Sequence, residues 1–312
     1  MSTTILITGG SGFLGKNLAR KLKDSYKVII TSRNQKQLKA TSELVGVESA
    51  PSDVSNFFSI DEIIRKTSPE IIIHAAATKF VNLSEKYPNE CIDINILGSQ
   101  NVLRSAIENN VKNVVGISTD KAAAPIANIY GLSKSIMEKL FTSMDDEKST
   151  RFSCVRYGNV AWSTGSVFPI WESMAKNEKL IKSTGPEMSR FFFSIDDAVN
   201  LVDVALSNMN EVSGKILSYP MKGVLVKNIL DVFSKKYGVP WEVTDSRKGD
   251  RPYELLISDV EASFTKKAIF NKKEYFIIDE NNRELFNQLT ENYSSAKCEQ
   301  LDEGEIAKLI DS

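Results

Sequence analysis

Residues 4–22 read Thr4-Ile5-Leu6-Ile7-Thr8, Gly9-Gly10-Ser11-Gly12-Phe13-Leu14-Gly15 and Lys16-Asn17-Leu18-Ala19-Arg20-Lys21-Leu22. The first run is β-branched and the last has helical periodicity, so the stretch predicts a strand, a glycine turn and a helix. In this order Gly9 makes the tight turn, Gly12 lets the backbone approach a pyrophosphate, and Gly15 lets the helix pack on the strand. The pyrophosphate would lie at the helix N-terminus, where unpaired N–H groups favour anions. The stretch therefore predicts a dinucleotide-binding domain.

The second predicted strand, Lys27 to Thr31, ends in Ser32 and Arg33. A binder of NAD usually offers an acidic residue here, which accepts a hydrogen bond from the ribose 2′-hydroxyl. A hydroxyl and a guanidinium instead suit a 2′-phosphate, so the pattern favours NADP as the cofactor. A solvated loop arginine is the alternative interpretation of Arg33.

Further predicted strands also end in polar or small residues. A short strand at 47–50 is followed by Asp53, which can hydrogen-bond an adenine amine. The apolar run at 70–73 ends in His74 and three alanines, which would let the backbone lie against a cofactor. Lys79 is either a cation of the substrate pocket or a solvated loop lysine. A long helix from about 89 to 109 follows and contains Asn95; we expect it to pack at a subunit interface as well as on the sheet.

The central motif is Ser118-Thr119-Asp120-Lys121, directly after a predicted buried strand, followed by Tyr130 and Lys134. Tyr130 and Lys134 are four positions apart, so on a helix they share one face. Lowering a tyrosine pKa from ~10 to about 7 requires roughly 4 kcal/mol of phenolate stabilisation. We expect Lys134 and a cationic nicotinamide ring to supply this stabilisation of the phenolate. A chance Tyr-x-x-x-Lys on a surface helix is the alternative.

Later segments add a third polar strand end and two loop arginines. The predicted strand at 151–156 ends in Tyr157 and Asn159. Arg190 and Arg251 lie in loops punctuated by glycine and proline, and Arg251 could clamp a diphosphate. A lone arginine is otherwise usually a surface charge.

Composition narrows the class of protein. The 312 residues carry a formal charge of −1 and a pI near 6.1, which gives no electrostatic case for binding nucleic acid or an anionic membrane. Three scattered cysteines and no apolar run near the ~20 residues of a membrane span predict a soluble, cytoplasmic protein without a signal peptide. His74 is the sole histidine, which excludes a histidine-based metal cluster or a Ser-His triad. We expect a structural role for it.

The chain resembles the extended short-chain dehydrogenases/reductases, and more narrowly the inverting UDP-N-acetylglucosamine 4,6-dehydratases. The resemblance rests on ILITGGSGFLG (5–15), TSRN (31–34), HAAATKF (74–80), NECIDINILGSQNV (89–102), STDKAAAPIANIYGLSK (118–134), VRYGNVAWSTGSVFP (155–169), MSRFFFSIDDAV (188–199) and GDRPYEL (249–255). Ser-Thr-Asp-Lys is the discriminating motif, because 4-epimerases lack the acid–base pair.

The resemblance implies a Rossmann-like, doubly wound parallel sheet with a smaller C-terminal substrate-binding lobe. We assign residues 1–160 to the NADP-binding domain, with 191–219 returning to it, and residues 161–190 and 220–312 to the nucleotide-sugar lobe. The implied partners are a nucleotide sugar and further copies of the chain, as a homo-oligomer.

The resemblance also implies roles for individual residues. The catalytic residues would be Thr119, Asp120, Lys121, Tyr130 and Lys134. The cofactor residues would be Gly9, Ser11, Gly12, Phe13, Leu14, Gly15, Ser32, Arg33, Asp53, Val54, Ala75, Ala76, Ala77, Asn95, Ser118, Tyr130, Lys134, Tyr157 and Asn159. The substrate residues would be Lys79, Lys121, Asn159, Ser166, Arg190, Arg251 and Glu254.

The implied reaction begins with Tyr130, assisted by Lys134 and Thr119, taking the proton of the sugar's carbon-4 hydroxyl while hydride passes to NADP. Lys121 would remove the carbon-5 proton, for which it must be partly neutral, and a protonated Asp120 would give a proton to the departing carbon-6 hydroxyl as water leaves. Reprotonation on the opposite face would invert carbon 5. A 4-epimerase, a dehydratase of another nucleotide sugar and a non-catalytic NADP sensor are the alternatives. The sensor is disfavoured because Thr119, Tyr130 and Lys134 are all present.

Overall fold

Strands and helices alternate through the first half of the chain. The computed structural model describes residues 2–144, 149–244, 251–281 and 288–312. The strands are β1 (Thr4–Thr8), β2 (Lys27–Thr31), β3 (Glu48–Ser49), β4 (Ile71–His74), β5 (Asn113–Ile117), β6 (Arg151–Arg156), β7 (Asn159–Val160), β8 (Ile181–Ser183), β9 (Ser189–Phe193), β10 (Ile216–Ser218), β11 (Gly223–Leu225), β12 (Trp241–Val243), β13 (Leu255–Ile257), β14 (Thr265–Phe270), β15 (Lys273–Ile278) and β16 (Tyr293–Ser294).

The helices are α1 (Phe13–Leu22), α2 (Gln35–Val45), α3 (Phe57–Thr67), α4 (Val81–Lys86), α5 (Pro88–Cys91), α6 (Gly98–Glu108), α7 (Ile129–Ser143), α8 (Val167–Asn177), α9 (Ile195–Ser207), α10 (Met209–Val212), α11 (Val226–Tyr237), α12 (Asp259–Ala262) and α13 (Glu303–Asp311). A π-helical segment, Ile92–Leu97, joins α5 to α6, so the predicted helix at 89–109 is continuous but changes its winding at Asn95. In the described ranges, no helix has both the length and the apolar character needed to cross a membrane.

The central sheet has the strand order β14-β15-β10-β6-β5-β4-β1-β2-β3. The strands from β10 to β3 are parallel, whereas β14 and β15 add an antiparallel edge. The predicted Rossmann-like, doubly wound sheet is therefore confirmed, with an antiparallel extension.

This antiparallel extension comes from residues that the prediction assigned to the smaller lobe, which was to include all of 220–312. Residues 265–278 form β14 and β15 instead, and the alternating residues of β15 pack in the cores on the two faces of the main sheet. The division into two domains stays a prediction.

Alternation along β1 shows how the helices cover both faces of the sheet. Ile5 and Ile7 lie in one apolar cluster with Leu18 of α1, whereas Leu6 lies in a second cluster with Val102 of α6. Successive strand residues point to opposite faces, so a strand that is apolar throughout must be covered twice. The parallel strands consequently end at one edge, where the polar residues after them meet.

A third apolar cluster forms the core of the smaller lobe. Phe168 and Trp171 of α8 pack with Phe233 of α11, and the Phe168 and Phe233 ring centroids are 5.5 Å apart in an edge-on arrangement. Ile306 and Ile310 of α13 close the cluster. This lobe faces the carboxyl edge of the sheet through β7 and β9, which pair with each other.

Candidate active site

The glycine turn is built for close backbone approach. Gly9 has φ of +66°, and a Cβ there would lie 2.7 Å from the backbone nitrogen of Ala76. A Cβ on Gly15 would lie 2.5 Å from the carbonyl oxygen of Gly9. Gly12 begins α1 without a side-chain cap, so the helix N-terminus is left to backbone N–H groups. Such a terminus suits the diphosphate of a dinucleotide.

The end of β2 lies beside this turn, as NADP binding would require. The Ser11 hydroxyl donates to the Ser32 hydroxyl over 2.8 Å. Arg33 is half exposed, and its Nη2 lies 4.0 Å from Glu90 Oε1, an arrangement that contributes little energy at a surface. The guanidinium is therefore free to turn toward a phosphate at the rim of the turn.

On the predicted adenine side, Asp53 shapes its own turn. Its Oδ1 accepts from the Ser55 backbone N–H over 2.9 Å and from the Ser55 hydroxyl over 2.8 Å. A Cβ on Gly98 would lie 2.8 Å from Val54 Cγ2, so α6 packs closely against this loop. The other predicted cofactor residues here are Phe13 and Leu14 in the first turn of α1, and Ala75, Ala76 and Ala77 after β4.

For Asn95 the structure differs from the prediction that this residue contacts the cofactor directly. It is fully buried, and its amide hydrogens go to the Thr78 carbonyl over 3.0 Å and the Ser133 hydroxyl over 2.9 Å. Its Oδ1 accepts from the Thr78 N–H over 2.8 Å. Both amide hydrogens are thus occupied, and Asn95 ties the loop after β4 to α7.

The start of α7 is pressed against the central motif. Asn128 caps the helix by accepting from the Gly131 N–H over 2.8 Å. A Cβ on Gly131 would lie 2.2 Å from the Lys121 carbonyl oxygen, so only glycine permits this approach. As a result the Tyr130 phenol lies close enough to the Thr119 hydroxyl for that group to act on its pKa, while the Thr119 hydroxyl itself donates to Asp120 Oδ1 over 2.9 Å.

The pKa of Tyr130 is raised to about 12, contrary to the predicted lowering by Lys134. Burial is the main cause and Asp120 adds to it, whereas Lys121 and the Thr119 hydrogen bond act in the lowering direction. Lys134 Nζ instead lies 3.4 Å from the Met137 sulfur. Burial lowers the Lys134 pKa to about 8. The cations of the protein alone therefore leave Tyr130 neutral.

Lys121 lies between two carboxylates. Its Nζ is 3.1 Å from Asp120 Oδ1 and 3.8 Å from Glu254 Oε1. Burial acts to lower the Lys121 pKa, but Asp120 and Glu254 together outweigh it and hold that pKa well above its ordinary value. The predicted partly neutral Lys121 is not what this arrangement produces, because its charge is stabilised from both sides.

Two arginines complete a cluster around Glu254. Arg190 Nε lies 3.9 Å from Glu254 Oε1, and Arg251 Nη1 lies 4.0 Å from Glu254 Oε2. Gly249 and Asp250 of the same motif lie outside the described residues. In the described part of the chain, several buried polar atoms have no hydrogen-bond partner, as expected of a site that takes a polar ligand. Among them are Asp120 Oδ2 and Glu254 Oε2 of this cluster, and Ser118 Oγ and Ser166 Oγ of the predicted cofactor and substrate residues.

The residues after β6 contact the same part of the site. The Tyr157 carbonyl accepts from the Asp120 N–H over 2.9 Å, and burial raises the pKa of the Tyr157 phenol. Asn159 Nδ2 donates to the Phe191 carbonyl over 3.1 Å, which joins β7 to β9. Lys79 is exposed at the loop after β4, and partial desolvation of its ammonium lowers its pKa.

Sequence reasoning missed a buried ion network beneath α7. Arg156 is 1% exposed and donates to both carboxylate oxygens of Glu138 and to both of Glu261. Its Nη1 also donates to the Leu256 carbonyl over 3.1 Å, so the network connects α7 to β13 and α12. An arginine at the end of an otherwise apolar strand was the available signal.

Comparisons with known proteins agree with this geometry. The family described as "Polysaccharide biosynthesis protein" matches residues 5–277. A UDP-glucose 4-epimerase of Rickettsia rickettsii is 34% identical, covering 98% of this chain and 95% of that protein. A UDP-N-acetylglucosamine 4,6-dehydratase (inverting) of Campylobacter jejuni is 33% identical, covering 84% of this chain and 79% of that protein.

A solved structure, that of Pen from Bacillus thuringiensis, superposes with a TM-score of 0.89 at 27% identity, covering 99% of this chain and 98% of that one. The superposition covers nearly the whole of both chains, and the family match spans most of this one. The chain therefore belongs to the polysaccharide biosynthesis protein family and is an extended short-chain dehydrogenase/reductase that resembles the UDP-N-acetylglucosamine 4,6-dehydratases.

Proposed function

We propose that the protein catalyses NADP-dependent 4,6-dehydration of UDP-N-acetylglucosamine with inversion at carbon 5. The observation that carries this proposal is the ion pair of Asp120 and Lys121, buried within reach of the Thr119 and Tyr130 hydroxyls. Removal of water across carbons 5 and 6 needs a base for the carbon-5 proton and an acid for the carbon-6 hydroxyl in addition to Tyr130, whereas epimerisation at carbon 4 needs neither of these two further groups. The C. jejuni relative bears the name of this activity.

The residues around the glycine turn fit a dinucleotide. Gly9 and Gly12 would lie against its diphosphate, and Ser32 with Arg33 would receive a 2′-phosphate, which favours NADP over NAD. The chemistry that NADP supplies when bound is reversible hydride transfer, from carbon 4 of the sugar and back to carbon 6. The cofactor is therefore not consumed.

The chain's own residues manage the protons. Tyr130 would accept the proton of the carbon-4 hydroxyl, and the charge of Lys121 together with the nearby Thr119 hydroxyl would stabilise its phenolate. Transfer of a proton from Lys121 to Asp120 would leave Lys121 neutral, so that it could remove the carbon-5 proton. Asp120, in its protonated form, would give a proton to the departing carbon-6 hydroxyl. Each such acid or base typically contributes ~10²–10⁴-fold to the rate.

The substrate would be held on the lobe side of the sheet. Arg190 and Arg251 would bind the UDP diphosphate, since guanidinium groups bind phosphate oxygens in a bidentate manner. Ser166 and Asn159 would contact the sugar or the nicotinamide, and Lys79 would lie at the rim of the site. Glu254 is the anion between the two arginines.

A nucleotide-sugar 4-epimerase is the second candidate. The R. rickettsii relative is named a 4-epimerase, and its match covers nearly the whole of this chain. That reaction would use Thr119, Tyr130 and Lys134 and leave Asp120 and Lys121 idle. A 4,6-dehydratase of another nucleotide sugar would use the entire set.

The two candidates are separated by incubating the protein with UDP-N-acetylglucosamine and catalytic NADP in heavy water. Loss of one water, deuterium at carbon 5 and no net NADPH are the expected results. An unchanged product mass with a new carbon-4 epimer would exclude the dehydratase. No reaction would direct the same assay to other nucleotide sugars.

We also propose a homo-oligomer formed through α7. Leu132 and Ile136 are four positions apart on this helix and are 47% and 43% exposed. Leu97, at the end of the π-helical segment that packs beside α7, is 43% exposed. Neighbouring exposed apolar side chains of this kind mark an interaction surface, and a second copy would supply the same apolar face.

A further inference from the structure

Glu254 occupies an unusual electrostatic position for a carboxylate. It is 5% exposed, yet its Oε2 has no hydrogen-bond partner and the three nearest cationic nitrogens are 3.8 to 4.0 Å away. Those distances allow ion pairs without close hydrogen bonds. The backbone around it is fixed, because its N–H donates to the Ser295 hydroxyl over 3.0 Å. The carboxylate is thus held in place while its charge is only loosely matched.

The charged groups that face Glu254 come from three segments. Lys121 and Asp120 belong to the turn after β5, Arg190 belongs to β9, and Arg251 precedes β13. Three cations therefore face two carboxylates. This surplus of positive charge disappears, and is reversed, if a diphosphate bearing two negative charges joins the cluster.

We propose that Glu254 takes up a proton when the diphosphate of a nucleotide sugar binds to Arg190 and Arg251. The diphosphate and the ionised carboxylate compete for the same two guanidinium groups, so each disfavours the other. Neutralising Glu254 removes that competition. The proposal rests on the proposed nucleotide-sugar substrate, but not on the reaction that follows binding.

The direction of the effect follows from the free protein. Burial and Asp120 raise the pKa of Glu254, whereas Lys121, Arg190 and Arg251 act against that rise. A diphosphate that engages the arginines weakens their lowering effect, so the pKa of Glu254 rises further in the complex. The pH range of proton uptake lies between the free and bound values of this pKa.

Uptake of this proton would also change Lys121. Glu254 is one of the two carboxylates that hold Lys121 in its charged form. Once Glu254 is neutral, one of the two carboxylates that oppose the desolvation of the ammonium has lost its charge, and this loss acts to lower the pKa of Lys121. Substrate binding would thereby prepare Lys121 for the carbon-5 proton.

Calorimetry with UDP-glucose tests the proposal. The diphosphate of this probe is esterified at both ends, so it carries no terminal phosphate, a group that titrates near about 6. A Tyr130→Phe background with saturating NADP removes heat from turnover. Titrations in two buffers of different ionisation enthalpy, from pH 6 to 9, count the protons taken up.

The expected result is uptake of ~0.5–1 proton and a Kd that rises up to about tenfold per pH unit above the pKa of free Glu254. Glu254→Gln is expected to abolish both effects, whereas Glu254→Asp retains them. Glu48→Gln, which removes an exposed carboxylate on β3, should behave like the parent.

Equal proton counts in the parent and Glu254→Gln would overturn the proposal, as would zero uptake by the parent over the whole range. If Glu254→Gln fails to fold, zero uptake by the parent still overturns the proposal. Proton uptake without any dehydration of UDP-N-acetylglucosamine would support the coupling and exclude the proposed reaction. Failure of UDP-glucose to bind at all would overturn the diphosphate site and the coupling together.

Discussion

The ammonium of Lys121 lies 3.1 Å from Asp120 Oδ1, and Asp120 is fully buried. Two adjacent residues of one short turn thus form an ion pair at the carboxyl edge of the sheet. In this ionised pair Lys121 cannot act as the proposed base, and Asp120 cannot act as the proposed acid, until a proton has moved from Lys121 to Asp120. The pair is therefore the place where the proposed elimination can be tested most directly.

Asp120→Asn is expected to lower the rate of water elimination by ~10²–10⁴-fold, because an amide cannot serve as the acid for the carbon-6 hydroxyl. Carbon-5 exchange should persist, since the variant retains Lys121 and lowers its pKa by removing a carboxylate. Product mass and deuterium at carbon 5 are measured in the same reaction. Asp24→Asn, on the exposed surface, is the control. Unchanged elimination by Asp120→Asn would remove the acid role.

Arg33→Ala is expected to weaken NADP binding by about 10–100-fold and to leave NAD binding nearly unchanged, because only NADP offers a 2′-phosphate to the guanidinium. Fluorescence titration of the two reduced cofactors gives both dissociation constants. Arg20→Ala, an exposed arginine on α1, controls for the loss of a surface charge. Equal weakening of both cofactors would argue against recognition of the 2′-phosphate by Arg33.

Local patterns were sufficient for much of the fold. β1, β2 and β6 begin and end as predicted, because each is an apolar, β-branched or mixed run bounded by turn residues. Thr119, Asp120, Lys121 and Tyr130 also meet as predicted, since strand ends and helix starts share one edge of a parallel sheet. The edge strands at 265–278 were not placed in the main sheet, because their alternation does not specify which sheet they join.

The charge states of the site residues could not be predicted from the sequence, because they depend on residues that are distant in the chain. Glu254, which holds Lys121 protonated, is separated from it by more than a hundred positions of unrelated sequence. Glu261 lies 105 positions after Arg156. A local pattern reports what a residue is next to in sequence, whereas a buried charge responds to whatever the folded chain brings within a few ångströms.

Arg156→Met is expected to lower the free energy of unfolding by about 3–5 kcal/mol, because it leaves Glu138 and Glu261 buried without their cation. Urea denaturation at pH 7 measures the loss. Arg104→Met, which removes an exposed pair with Glu108, should cost at most about 1 kcal/mol. Adding Glu138→Gln and Glu261→Gln to Arg156→Met should recover part of the stability. If these two substitutions do not recover any stability, the destabilisation by Arg156→Met comes mainly from lost packing and not from the unpaired buried carboxylates.

Ile136→Glu is expected to dissociate the proposed oligomer, because it places a charge at the centre of the exposed apolar face of α7. Light scattering after size-exclusion chromatography gives the mass of the assembly. Ile269→Glu, at a 67% exposed position on β14, alters an apolar surface residue elsewhere and should leave the mass unchanged. An assembly that survives Ile136→Glu would exclude an interface through α7.

His74 is expected to weaken the fold as the pH falls. Its Nδ1 lies 2.8 Å from Thr8 Oγ1 and its Nε2 lies 3.1 Å from Ser99 Oγ, so both ring nitrogens are satisfied in the neutral form. Burial, with the charge of Lys134 adding to it, lowers the His74 pKa to about 3 from an ordinary value of 6.5.

Below pH 6.5 the unfolded chain therefore binds a proton that the folded chain refuses, and stability is lost progressively down to about pH 3. Between pH 6.5 and 4.5 this group should account for roughly 2–3 kcal/mol of lost unfolding free energy. Urea denaturation at pH 6.5 and at pH 4.5 measures the decrease in unfolding free energy. For His74→Gln, which can keep both hydrogen bonds, this decrease should be smaller than that of the parent by the same amount. As the sole histidine, His74 can also be followed by proton NMR, and a titration midpoint near 6.5 would contradict its burial as the neutral form.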